Sequence, residues 1–295
     1  MIKLDLITGF LGSGKTTFLI KYVNYLKSKN ENICIIENDY GAVNVDMMLV
    51  EETHVDREMI TGSTDPETRI RRLNTKLISL AMRGYNHIIL EPSGIFDTDE
   101  LFDLLYDDTI SSLYKINNIY CIYDINTKDL SKEARYVMVS EAAIAGKIIV
   151  SKRIDKTTID LDYINNSFAE FKCDRIIKES DIIYEDEITD YSILDNVGYK
   201  NTSHIKMPIF NNPNFSSIYF LDKKFKLKDI DIFKTLFDKS FGNVFRIKGF
   251  IHDNNKWYQI NITDTQNKIE EIKDGQDVII VIGENLKENK IKSVC

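Results

Sequence analysis

The hydrophobic and polar positions in the first half of the chain follow two alternating patterns. Short apolar runs, which are typical of buried strands, cover residues 2–8, 33–37, 87–90, 118–124 and 147–150. Between them, apolar side chains recur at helical spacing in residues 16–30, 65–84, 97–105 and 132–145. Strands that alternate with helices form parallel sheets with right-handed crossovers, so the pattern predicts an α/β fold with a mostly parallel sheet and flanking helices.

The pattern changes from about Tyr199 onward. Strand-like runs cover residues 217–221, 244–251, 257–262 and 277–282, and one helical segment covers residues 230–237. Short strands in quick succession, separated by turn residues, are typical of an antiparallel sheet. We therefore predict two domains, residues 1–200 with the α/β fold and residues 201–295 with a smaller α+β fold.

A glycine-rich stretch joins the first predicted strand to the first predicted helix. Residues 9–17 read Gly-Phe-Leu-Gly-Ser-Gly-Lys-Thr-Thr and fit the pattern G-x-x-x-x-G-K-[ST]. In this context the backbone N–H groups and the positive end of the helix dipole face a phosphate chain. Lys15 adds a charge for the β- and γ-phosphates, and the Thr16 hydroxyl is placed to ligate Mg²⁺. The residues predicted to cradle the phosphates are Gly9, Gly12, Ser13, Gly14 and Lys15.

Acidic residues follow the next two strands, at the edge where parallel sheets bind their ligands. Glu91 stands at the tip of the strand at 87–90, where a Walker B acid holds Mg²⁺ directly or through water. Gly94 can offer its N–H to the γ-phosphate. If the γ-phosphoryl group is transferred to water, we expect Asp39 or Glu91 to orient that water molecule. Residues 42–64 show no clear period and carry several acids, so they are predicted to form a switch segment.

The strand at 147–150 leads into the loop Ser151-Lys152-Arg153-Ile154-Asp155. A carboxylate in such a loop accepts two N–H groups from the Watson–Crick edge of guanine, whereas adenine turns its own acceptor N1 towards it. Asp155 is the acid available there, with Lys152 beside it. The loop therefore predicts that the bound nucleotide is GTP and that the product is GDP.

Composition excludes some partners. The formal net charge of −8 argues against nucleic acid or an anionic membrane, because either requires a basic field. No apolar run approaches the length of a membrane span, and four scattered cysteines suit a reducing compartment, so we expect a cytoplasmic protein. Cys34 and Cys121 lie inside apolar runs and are predicted to be buried as small hydrophobic residues.

Several of these motifs, in this order, resemble the CobW-like P-loop GTPases, relatives of UreG and HypB. The resemblance rests on residues 9–17, 38–41 with Asp46, 91–94, 246–250 and 281–283. It implies GTP hydrolysis coupled to delivery of a metal or cobalamin-type cofactor to a client protein or metalloenzyme. It also implies a GTPase domain followed by a small α+β domain that contacts the client.

Residue roles implied by the resemblance extend those read from the motifs. Thr17 touches the α-phosphate, while Asp39 and Asp46 belong to the first switch. Glu91 and Gly94 belong to the Walker B element and the second switch. The implied Mg²⁺ ligands are Thr16, Asp46 and Glu91; the implied catalytic residues are Lys15, Asp39 and Glu91; and Lys152 and Asp155 bind the base.

The chain departs from the family pattern in two places. Where the family has Gly-Cys-x-Cys-Cys, residues 62–66 read Gly-Ser-Thr-Asp-Pro, so the thiolates of a zinc site are missing. Asp65 is interpreted as a helix cap, with an oxygen-rich site shared with Asp39 as the alternative, and His54 and His87 are expected to be exposed to solvent. The second departure is in the base loop, where the family has Asn/Thr-Lys-x-Asp. This motif aligns either with Ser151-Lys152, which leaves the acid displaced by one position, or with residues 152–155, which places unusual residues at its first two positions.

The leading hypothesis is a Mg²⁺-dependent GTPase that uses its nucleotide state to change its affinity for a client. The sequence contains no recognisable arginine finger, so we expect slow turnover, accelerated by a partner or by a nucleotide-dependent homodimer. One alternative is a nucleotide-gated scaffold with vestigial hydrolysis. Another is a small-molecule kinase whose lid carries Arg69, Arg71 and Arg72, although these residues also suit an exposed helix face.

Overall fold

The computed structural model of the protein describes most of the chain. The described residues are 1–39, 54–61, 66–92, 94, 98–127, 130–202, 215–221, 223–273 and 275–295. The chain divides into two compact units, residues Met1–Ile209 and Phe210–Cys295. No helix in the described residues is long and apolar enough to cross a membrane.

The first unit is built on a parallel sheet with helices packed around it. Its strands are β1 (Ile2–Thr8), β2 (Ile33–Asp39), β3 (Asp56–Thr61), β4 (His87–Pro92), β5 (Tyr114–Asp124), β6 (Lys147–Ser151) and β7 (Ile182–Tyr184). Its helices are α1 (Lys15–Ser28), α2 (Pro66–Ala81), α3 (Thr98–Leu105), α4 (Asp108–Leu113), α5 (Lys132–Ile144) and α6 (Leu161–Glu170). The seven strands lie in the order β3-β2-β4-β1-β5-β6-β7, and every pairing between them is parallel. The predicted α/β class is confirmed.

Strand β1 lies between β4 and β5 near the middle of this sheet. Its residues from Leu4 to Thr8 are all buried, as is the whole of β4, because helices cover both faces of a parallel sheet. Helix α1 packs its apolar stripe onto the sheet through Phe18, Tyr22 and Val23, which are completely or almost completely buried. The carboxyl ends of β1 and β4 are therefore held side by side by a rigid core.

Buried polar side chains form a hydrogen-bonded group in the core at the middle of β1. Asp5 is fully buried; it accepts a hydrogen bond from the Tyr22 hydroxyl at 2.6 Å and lies 2.7 Å from His87 Nε2. The expectation that His87 is exposed is wrong, since only 1% of its surface reaches solvent. A histidine that begins an apolar strand is buried when a neighbouring strand supplies its partner. His54 is exposed, and Cys34 and Cys121 are buried as predicted.

Some elements of this unit were not predicted. Strand β3 lies inside the predicted switch segment, where the sequence showed no clear period. It is the terminal strand of the described sheet, and its polar residues hide the strand pattern. Helix α6 and strand β7 lie in the polar stretch that follows residue 155, where only short apolar runs mark them. Residues 42–53 and 62–64 of the predicted switch segment, which include Asp46, lie outside the described residues, as does the neighbouring Asp65.

The second unit contains an antiparallel sheet. Its strands are β8 (Phe215–Leu221), β9 (Asn243–Asp253), β10 (Lys256–Ile262), β11 (Asn267–Ile272) and β12 (Val278–Glu284), in the order β11-β10-β9-β12-β8. Helices α7 (Ile230–Thr235) and α8 (Glu288–Val294) contribute Phe233 and Ile291 to a core with Ile247, Ile260 and Val281. This arrangement confirms the α+β prediction, although the sequence pattern missed β11 and α8.

Candidate functional site

The loop between β1 and α1 has the backbone conformation that its glycines permit. Gly9, Gly12 and Gly14 have φ values of 141°, 77° and 100°, in a region that side chains with a Cβ rarely adopt. A Cβ on Gly9 would lie 2.3 Å from the carbonyl oxygen of Ile122. Helix α1 begins directly after Gly14, so its first N–H groups point into the loop. The loop is a ready-made anion-binding cradle.

Lys15 is held over this loop by the loop's own carbonyl groups. Its Nζ donates to the carbonyl oxygen of Gly9 at 2.8 Å and to that of Phe10 at 3.5 Å. The side chain is only 8% exposed, so its charge lies inside the cradle rather than in solvent. Thr17 follows in the first turn of α1 and is exposed. An anion in the loop would meet a lysine that is already in place.

Thr16 and Glu91 meet beside the loop. The Thr16 hydroxyl donates to Glu91 Oε1 at 3.0 Å, and both residues are buried. Glu37, a further buried acid, stands opposite Glu91 in the register of β2 and β4. Because hydroxyl and carboxylate oxygens are the donors that Mg²⁺ prefers, Thr16 and Glu91 fit this ion.

A soft metal is a poorer match to the part of the chain that the structure describes. There, no group of three or more His, Cys, Asp or Glu side chains is placed to hold a metal ion. Asp46, the third predicted Mg²⁺ ligand, lies outside the described residues. Asp39 is described only as the last residue of β2, which puts its backbone at the carboxyl edge of the sheet.

Gly94 packs directly against the loop. A Cβ at this position would lie 2.7 Å from the backbone nitrogen of Leu11 and 2.8 Å from Lys15 Nζ. These separations are shorter than van der Waals contact, so only glycine fits without moving the loop. The structure thus places Glu91 and Gly94 against the loop of residues 9–17.

The predicted base loop is joined to the phosphate-binding loop by its first residue, for which the sequence predicted no role. Ser151, at the end of β6, is buried, and its hydroxyl donates to the carbonyl oxygen of Ser13 at 2.6 Å. Lys152 Nζ donates to Asp124 Oδ2 at 2.8 Å. The signal available in the sequence was the position of Ser151 directly after the apolar run at 147–150.

Arg153 fixes the outer side of the base loop. Its guanidinium lies 4.1 Å from the centre of the Tyr184 ring and donates to Asp186 Oδ2 at 2.8 Å and to Glu187. Hydrogen bonds to these two carboxylates raise the pKa of Arg153 above its usual value. Asp155 follows on an exposed turn with φ of 53°. The loop is anchored at Ser151 and Arg153, and Asp155 stands beyond these anchors.

The arginines considered for a kinase lid lie elsewhere on the sheet. Arg71 and Arg72 line a cavity of about 530 Å³ between β3 and α2, together with Met59 and Lys76. Its described lining includes no residue of the phosphate-binding loop. The side chain of Arg69 is outside the description. The described residues therefore do not unite these arginines with Lys15.

Comparison with known proteins gives a matching family model and several similar proteins. The family model CobW/HypB/UreG, nucleotide-binding domain, matches residues 3–177. The zinc chaperone YeiR of Escherichia coli (strain K12) is 28% identical over 159 residues, which are 54% of this chain and 48% of that protein. The zinc chaperone YjiA of the same organism is 23% identical over 158 residues, 51% of this chain and 49% of that protein.

The crystal structure of Zn(II)-bound YjiA GTPase from E. coli aligns with a TM-score of 0.40 and 16% identity, over 99% of this chain and 97% of that chain. The chain spans about half the length of the curated relatives it matches. The family model covers more than half of this chain and includes the phosphate-binding loop, Glu91 and the base loop. The protein therefore belongs to the CobW/HypB/UreG nucleotide-binding family.

Proposed function

We propose that this protein is a Mg²⁺-dependent GTPase that uses its nucleotide state to assist the delivery of a metal or corrinoid cofactor to a client protein. The observation that carries the proposal is the 3.0 Å hydrogen bond between Thr16 and Glu91, beside a loop whose lysine is already in place. This contact places two hard oxygen donors beside the phosphate-binding loop, at the carboxyl edge of the sheet.

The proposed chemistry is phosphoryl transfer to water. Backbone N–H groups of the loop and Lys15 bind the phosphates, and Thr17 contacts the α-phosphate. Thr16 and Glu91, with Asp46, would hold Mg²⁺, which would neutralise negative charge on the phosphates. Gly94 supplies an N–H to the γ-phosphate, and Asp39 or Glu91 orients the attacking water. Because the described residues supply no arginine finger at the loop, intrinsic turnover is expected to be slow.

Guanine is the proposed base. The pairing of Lys152 with Asp124 supports an ordered base loop, and Asp155 is the carboxylate that accepts the guanine N–H groups. Competition binding tests this assignment: GTP should displace ATP readily, and Asp155→Ala should remove the preference. Equal binding of ATP and GTP by the unmodified protein would exclude Asp155 as the guanine reader.

A role in metal handling rests on the family relationship. Two relatives are named zinc chaperones, and we propose a client metalloprotein for this chain as well. The described residues hold no thiolate cluster, so the cargo site is proposed to form with the client or within a nucleotide-dependent homodimer. The second unit is the proposed contact surface for the client.

Lys15→Ala tests the central claim. We expect the full chain to bind GTP more tightly with Mg²⁺ than with a chelator, as measured by titration calorimetry, and to release phosphate in a single turnover. Lys15→Ala should lose most of this affinity, because the cradle loses its cation. Lys27→Ala, at an exposed position in the last turn of the same helix, is the matched control and should behave like the unmodified protein.

Two results separate the alternatives. Binding of GTP without release of phosphate would favour the nucleotide-gated scaffold over the GTPase. Absence of Mg²⁺-assisted binding, with Lys15→Ala indistinguishable from the unmodified protein, would refute the proposal.

A further inference from the structure

Helix α5 places a carboxyl group against the start of the phosphate-binding loop. Glu141 is completely buried, and neither of its carboxyl oxygens has a hydrogen-bond partner of normal geometry. The hydroxyl of Thr8, the last residue of β1, is also buried and also has no hydrogen-bond partner of normal geometry. A buried carboxyl that is not fully hydrogen-bonded is costly when charged, so its presence here calls for an explanation.

The polar groups that act most strongly on Glu141 lie in or next to the phosphate-binding loop. The Thr8 hydroxyl, the Gly9 N–H and the Lys15 ammonium lie near enough to stabilise its charged form, but burial outweighs them and raises the pKa of Glu141 to about 8. Cys121 faces it from β5, and burial raises the pKa of that thiol, which keeps it neutral. Arg175, whose charge acts on Cys121, donates to three backbone carbonyls at the end of α5.

We propose that Glu141 is a positioning residue of the nucleotide site, which supports Thr8 and Gly9 in its neutral form and, where it is ionised in the free protein, takes up a proton when nucleotide binds. The inference rests on the proposed nucleotide binding. A triphosphate in the loop would add several negative charges near this carboxyl, and like charges disfavour the ionised form. Nucleotide and proton therefore bind together, because each favours the state that the other requires.

The direction of the pH effect follows from this linkage. Well below pH 8 the carboxyl of the free protein is already mostly protonated, so nucleotide binding requires almost no further proton uptake. Above pH 8 the free protein must first gain a proton, and affinity falls as the pH rises. Between pH 7 and pH 9 we expect a loss of affinity of about tenfold.

Titration calorimetry of the full chain with Mg²⁺ and GTP tests this. Experiments at pH 8.5 in two buffers with different heats of ionisation count the protons taken up, and the unmodified protein should take up most of one proton. Glu141→Gln keeps the shape and stays neutral, so its affinity should stay level between pH 7 and pH 9 with no proton uptake. Glu133→Gln, in the first turn of the same helix and about 12 Å away along its axis, is the matched control and should keep the tenfold dependence.

The outcomes separate this inference from the function on which it rests. If the unmodified protein binds GTP but takes up no proton, or if Glu141→Gln keeps the tenfold pH dependence, the role of Glu141 is refuted and the GTPase proposal stands. If GTP does not bind at pH 7, the proposed function itself fails. Because proton uptake is measured on the unmodified protein, the test does not depend on the folding of a variant.

Discussion

Asp5 is the buried acceptor on which the middle of β1 depends. One carboxylate oxygen accepts from the Tyr22 hydroxyl at 2.6 Å and lies 2.7 Å from His87 Nε2. The other accepts from the Asn117 side chain at 2.8 Å and from the Asn118 backbone N–H at 2.9 Å. We predict that Asp5→Ala lowers the free energy of unfolding by about 4 kcal/mol.

The magnitude follows from what each donor retains. The Tyr22 hydroxyl still lies 3.2 Å from the Tyr120 hydroxyl, and the half-buried Asn117 can turn to water. His87 and the Asn118 N–H stay buried without their acceptor, and each unsatisfied donor costs about 1–3 kcal/mol. Two such donors give the value of about 4 kcal/mol.

Urea denaturation followed by far-ultraviolet circular dichroism measures this loss. Asp5→Asn keeps one acceptor oxygen, and the Tyr22 hydroxyl and the His87 ring can adjust their protons, so it should lose less than half as much. Asp231→Ala, at an exposed position, should stay within about 0.5 kcal/mol of the unmodified protein. If Asp5→Ala stays within about 1 kcal/mol of the unmodified protein, the unsatisfied-donor reasoning is wrong.

Three further predictions follow from the site. Gly94→Ala should weaken GTP binding at least about tenfold in calorimetry, because its Cβ would lie 2.7 Å from the Leu11 nitrogen; unchanged binding would show that the loop can yield. Ser151→Ala should lower the free energy of unfolding by about 1 kcal/mol in urea, since the buried Ser13 carbonyl loses its donor; no loss would contradict this contact. Burial raises the pKa of Glu141 in the folded protein above its unfolded value. The folded protein therefore keeps its full stability below the unfolded pKa of this carboxyl and loses stability as the pH rises towards 8. Glu141→Gln should therefore be more stable than the unmodified protein at pH 8 and equal to it near pH 4, and equal stability at both pH values would refute that shift.

The sequence by itself determined the features whose signals are local. A glycine-rich turn followed by Lys15 and Thr16 is compatible with few backbones, because its glycines need positive φ and its helix must start at once. Continuous apolar runs revealed the central strands, since both faces of a parallel sheet are buried. Once the strands were placed, Glu91 and Gly94 had to reach the carboxyl edge near the loop.

Only the tertiary structure decided which distant residues meet. The Ser151 hydroxyl reaches Ser13 across 138 positions, and Glu141 reaches the loop from a helix whose own pattern gives no sign of a ligand. His87 reads as a polar residue at a strand end, yet Asp5 on the neighbouring strand makes its burial favourable. A buried polar group is tolerated only where another part of the fold supplies its partner, and single-sequence patterns do not contain that pairing.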